Sequence, residues 1–237
     1  MKSIATLAAV FLLSICAFGC QMNTVKLNSS APTVQVSAQD FVNNIEEFGY
    51  FKYVDSQNIA DMKTKIAKYY TQEGGVPAIF DEDTGMTKDY RNFHCDGENV
   101  FEQDGITDML KEFQPTFDKM NFKVKVTNHF EMWDDKNKWL NHRITINGTE
   151  YIIFQNFKGY GWGEAPMRLA EILNKELQKQ HIDEQVYLIG GGNDGTLIFL
   201  NRELYKYIYG VFKDPTAKPL DVREWARVMG VKSMSLE

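Results

Sequence analysis

Apolar positions recur along this chain at two spacings, and the spacing changes from one segment to the next. Phe41, Ile45 and Phe48 lie about one helical turn apart behind Ser37 and Asp40, which predicts a capped helix opening near Ser37. Ile59, Met62, Ile66, Tyr69 and Tyr70 repeat the pattern after Ser56, with Gly74-Gly75 as the stop. Met109, Leu110, Phe113 and Phe117 predict a third helix over 106–120. Pro115 kinks or shortens it, because proline lacks the N–H that the ladder needs. Leu169, Leu173 and Leu177 mark a fourth over 164–180, with Pro166 near its first turn. Asn201 caps a fifth over 202–211, and Asp221-x-x-Glu224 opens a sixth that Gly230 ends.

Elsewhere the period drops to two. Phe122, Val124 and Val126 alternate with Lys123, Lys125 and Thr127, the pattern of a half-buried strand. Continued along the strand, that alternation puts His129 on the solvated face with the two lysines. A second strand passes through Ile144 and Ile146. Asn147-Gly148 then makes a two-residue hairpin turn into Tyr151-Ile152-Ile153-Phe154. Another hairpin joins residues 186–189 to 197–200 across the glycine-rich loop 190–195, and shorter strands are expected at 50–54, 78–80 and 93–95. Hairpins interspersed with helices predict an α+β fold, an antiparallel sheet built from hairpins with helices packed mainly on one face.

The N-terminus follows neither period. After Met1-Lys2-Ser3, residues 4–18 are apolar or small and uncharged, shorter than the roughly 20 residues a membrane span needs and suited to a signal-peptide core. The residues that end this run, Ala17-Phe18-Gly19-Cys20, resemble the lipobox of bacterial lipoproteins. The resemblance covers the first twenty residues. It implies cleavage after Gly19 and diacylglycerol on Cys20, whose two acyl chains hold a protein on an extracytoplasmic membrane face. Ala17-x-Gly19 also reads as an ordinary signal-peptidase site, which cuts the same bond and leaves Cys20 unmodified. Residues 20–36, rich in Asn, Ser and Thr, then form a flexible tether, and residues 37–237 form a single α+β domain. Cys16 leaves with the signal and lipid takes Cys20, so Cys95 remains alone, read as buried and inert.

Composition narrows the partners. Hydrophobic content of 43% and aromatic content of 13% support a packed core. The formal charge of −6, or −7 once Lys2 leaves with the signal, comes without a basic cluster and argues against nucleic acid.

Candidate chemistry is sparse. The loop 190–195 runs into a strand rather than a helix, so it lacks the geometry of a phosphate cradle; Asn193 and Asp194 are candidate contacts at its tip. Tyr160 and Trp162, interleaved with Gly159, Gly161 and Gly163 before a helix, are the candidate surface for a protein or small-molecule partner. The competing reading has them plug the gap between sheet and helix. Asp81-Glu82-Asp83 lacks the ligand spacing of a calcium loop. In His94-Cys95-Asp96, neighbouring side chains point to opposite faces of a strand. The remaining histidines, His129, His142 and His181, show no ligand spacing, so no metal, cofactor or catalytic residue is assigned. These features predict a lipid-anchored partner- or ligand-binding module at the cell envelope. The alternative is a small extracytoplasmic hydrolase whose site assembles only in three dimensions.

Overall fold

The computed structural model describes residues 35–71, 74–81 and 87–232. The signal segment, Cys20, the tether up to Val34, and Glu82 and Asp83 of the acidic turn lie outside them. The helices are α1 Ala38–Glu47, α2 Ile59–Tyr69, α3 Gly97–Phe101, α4 Gly105–Glu112, α5 Gln114–Met120, α6 Glu164–Lys179, α7 Arg202–Val211 and α8 Val222–Met229. The strands are β1 Asn92–His94, β2 Val126–Asp134, β3 Trp139–Ile146, β4 Thr149–Phe157, β5 Gln185–Ile189 and β6 Thr196–Leu200. No helix among these residues is long and apolar enough to cross a membrane.

Caps account for many of the boundaries. Ser37, Asn201 and Asp221 accept the N–H of Asp40, Leu204 and Glu224, each satisfying a donor that a helix start leaves free. Glu224 does not close a reciprocal capping box; its carboxylate accepts the Tyr209 hydroxyl at 2.9 Å. Pro115 divides the third predicted helix into α4 and α5 around Phe113, since the proline sits where a first turn needs no N–H. Phe113 and Phe117 are buried on the expected stripe and Lys111 is exposed.

The strands form two antiparallel three-stranded sheets. In the first, ordered β1-β6-β5, β5 and β6 each meet a core on either side, while β1 adds Phe93 to one of them. Val186, Leu188, Leu197 and Phe199 enter a core shared with α4, α5 and α6, while Tyr187, Ile198 and Leu200 enter another built with α1, α2 and α7. Its β5 edge is covered rather than exposed. Asn174 of α6 bonds both the N–H and the carbonyl of Val186, and Leu220 does the same for Leu188. This blunts an edge that would otherwise invite another strand.

The second sheet is the meander β2-β3-β4. Asn147 and Gly148 both take positive φ, +50° and +81°, as a tight hairpin with the right twist requires. Asn147 and Tyr151 also bond Glu176 of α6, fastening the turn to the helix. Buried Leu140, His142, Ile144 and Ile146 line the inner face of β3. β2 starts at Val126, later than the alternation suggested, and carries a bulge between Val126 and Asn128.

Two short segments depart from expectation. Residues 50–53 form a 3-10 turn instead of a strand. The buried Arg91 guanidinium explains this, for it bonds the carbonyls of Gly49, Tyr50 and Phe199 and curls the segment against β6. Residues 78–80 contribute a single bridge, Phe80 to Thr87. The third, β1, forms within one residue of its expected place.

Candidate metal centre

The residues singled out from sequence do not converge on one site. Tyr160 is 82% exposed and Trp162 40%, their rings 5.5 Å apart. Gly161 lies against the Phe101 ring and Gly97 against the Trp162 carbonyl, so α3 seats this loop where a Cβ at either glycine would collide. Trp162 lines a narrow crevice with Gly190, Gly191, Gly192, Cys95 and Trp225. Asn193 and Asp194 are exposed at the loop tip and do not line it. Cys95 is 2% exposed, and burial pushes its thiol up to about 12, which makes it unreactive. His94 and Asp96 share one side of the chain and face a pocket of about 430 Å³ with Glu102, Asp108 and Glu112.

The convergent chemistry lies on the meander. β2 and β3 pair with Glu131 opposite His142 and with His129 diagonal to it. Residues two apart on a strand share a face, so the three side chains meet on the inner side. His129 was expected among solvated lysines, and the bulge overturns that. Its extra residue shifts the alternation by one, turning His129, Glu131 and Trp133 to the face that Lys123 and Lys125 do not share.

His129 Nε2 and His142 Nε2 are 2.9 Å apart, and His129 Nε2 lies 3.7 Å from Glu131 Oε2. One ligand atom from each residue falls within 4.8 Å of the others. A tetrahedral ion with donors at about 2.0–2.1 Å spaces them roughly 3.3 Å apart, a value that the two spacings from His129 bracket. Phe154 lies beside the His142 ring, and Phe101 packs edge-on to both Phe154 and Trp133, an apolar wall next to the donors.

Two further features suit a cation. Glu131 Oε2 accepts the Asp104 N–H at 3.0 Å, but Oε1 is buried without a hydrogen-bond partner. A carboxylate oxygen removed from water and left unpaired is costly, and a bound cation offsets that cost. Burial, and then the neighbouring His129, lower the His142 pKa to about 4. At neutral pH this imidazole therefore carries no proton charge that an ion must displace.

Two imidazoles and one carboxylate suit a first-row transition ion such as Zn²⁺ better than Ca²⁺ or Mg²⁺, which take oxygen donors. The set is invisible to spacing rules because its members come from two strands. Pairing β2 and β3 outward from the polar turn 134–138 would have placed Glu131 against His142. Neither a family model, a curated protein nor a solved structure matches the chain.

Proposed function

We propose that this chain is an exported, lipid-anchored binding protein of the cell envelope whose domain holds a divalent transition-metal ion. The convergence of His129, Glu131 and His142, with a buried and unpartnered carboxylate oxygen among them, carries this reading. The lipobox-like residues ending at Cys20 support the membrane attachment. Tyr160 and Trp162 supply an exposed aromatic surface for a protein or small-molecule partner.

The test is metal titration of the purified full-length chain after chelation and dialysis. One Zn²⁺ per chain is expected, with Glu131→Gln and His142→Ala each weakening it at least about 100-fold. Wild-type protein that takes up no stoichiometric Zn²⁺, Co²⁺ or Ni²⁺ would sink the reading. Cys20→Ser should separately abolish detergent partitioning without altering metal affinity.

Metal-assisted hydrolysis is the second reading, favoured by one observation: three protein donors leave a fourth position for water, as in catalytic zinc sites. Zinc-dependent turnover of an ester or phosphoester, lost in Glu131→Gln, would select it.

A further inference from the structure

Asp104 reaches two of the three proposed ligands from a different part of the fold. It lies in the turn between α3 and α4, and its backbone N–H donates to Glu131 Oε2 at 3.0 Å. Its carboxylate Oδ1 stands 3.5 Å from His129 Nδ1. One contact falls on the ring nitrogen that an Nε2-ligating histidine leaves over, and the other on the Glu131 carboxylate itself. A carboxylate facing Nδ1 favours the tautomer with the proton there, which frees Nε2 as the lone pair aimed at His142 and Glu131. The N–H on Oε2 fixes the rotation of the Glu131 carboxylate, whose Oε1 has no partner.

The backbone at this position is unusual as well. Asp104 takes a left-handed φ of +64°, a conformation that costs free energy for any residue with a Cβ. The turn holds it there: Thr107 Oγ and the Asp108 N–H both donate to the Asp104 carbonyl, at 2.7 and 2.9 Å. Aspartate tolerates this region better than most residues, but glycine would relieve it fully.

Exposure and charge agree with such a role. Side-chain exposure rises from 5% at Glu131 to 20% at His129 and 54% at Asp104, so the wet side of the cluster is the Asp104 side. A divalent ion on two neutral imidazoles and one carboxylate keeps one positive charge, and a second carboxylate just beyond His129 cancels it.

From these contacts we infer that Asp104 is the outer carboxylate of the metal centre, a positioning residue that orients His129 and Glu131 and steadies the bound ion. The inference rests on the metal-binding reading above. It adds the α3–α4 turn to a centre otherwise confined to the meander.

Asp104→Asn and Asp104→Gly test it, since both keep the backbone N–H and a tolerated left-handed turn while removing the charge. In the full-length chain each should weaken Zn²⁺ binding roughly 10–100-fold. The ion-free thermal midpoint should stay at the wild-type value for Asn and stay or rise for Gly. At saturating Co²⁺, the visible absorption bands should shift in both variants, a change that loss of stability alone does not produce. Asp104→Glu, which restores the carboxylate, should recover part of the affinity. Affinity and cobalt spectrum within about twofold of wild type in Asp104→Asn, with Glu131→Gln still defective, overturns the inference and leaves the metal reading standing. Ion-free midpoints that fall in step with the affinity also overturn it, because Asp104 would then be holding the fold. Wild-type protein that binds no metal overturns both.

Discussion

In the β1-β6-β5 sheet, successive residues of one strand enter different cores: Leu197 and Phe199 go one way, Ile198 and Leu200 the other. In the meander, β3 alternates buried Leu140, His142, Ile144 and Ile146 with more accessible Trp139, Asn141, Arg143 and Thr145. The first sheet leaves little room for polar side chains on its strands, because any polar atom there must find a protein partner. The meander has water on one face and an inner face that opens to solvent toward the α3–α4 turn. Polar donors can gather there at modest cost and remain reachable by an ion. The less enclosed sheet therefore holds the proposed metal centre, and the more enclosed one carries stability.

The largest expected effect lies in the enclosed sheet. Phe199, fully buried against Phe93, Phe113 and Phe117, should cost about 3–5 kcal/mol when changed to Ala. Ile152, on the outer face of β4 and 41% exposed, should cost under about 1 kcal/mol. Urea unfolding of both variants checks this, and equal losses would break the contrast.

Titration should separate the sheets next, with opposite signs. In chelated protein His142 is held near pKa 4 against an ordinary 6.5, so the unfolded chain takes up its proton first as pH falls. The meander's contribution should be complete above about pH 6.5 and fade toward pH 4, by roughly 3 kcal/mol at the limit. His142→Gln should flatten the slope in that window. In the enclosed sheet, burial and then the Tyr205 contact raise Tyr187 to about 12. The folded state holds that proton longer, so this stability is complete below about pH 10 and fades toward pH 12. Tyr187→Phe should reduce the alkaline loss by the share of that hydroxyl and leave the acid limb untouched.

The smallest effect is expected at the aromatic loop beside α3. Trp162, 40% exposed, should tolerate Ala within about 1 kcal/mol. A loss of several kcal/mol in thermal unfolding would make it part of the core and remove Tyr160 and Trp162 as a binding surface.

Much of this architecture is local in origin. Ser37, Asn201 and Asp221 announce helix starts because each satisfies an N–H within three residues. Asn147-Gly148 announces a hairpin because its backbone preference needs no distant partner. The same holds for the break at Pro115 and for the stripe that buries Phe113 and Phe117. The five-residue α3 is too short to show a period, and residues 50–53 curl only because Arg91 reaches them from far along the chain. Spacing along the chain likewise gave no sign that His129, Glu131, His142 and Asp104 would meet.

Sequence alone determined the α+β class, the longer helices and hairpins, their caps and their apolar stripes, since these depend on backbone preferences and side-chain period over a few residues. Tertiary structure decided the division into two sheets, the phase of β2 and the meeting of His129, Glu131 and His142. For the last two the reason is the bulge between Val126 and Asn128. A two-residue period predicts a face only while the ladder is unbroken. One extra residue, accommodated as the strand packs, reverses inside and outside for everything beyond it.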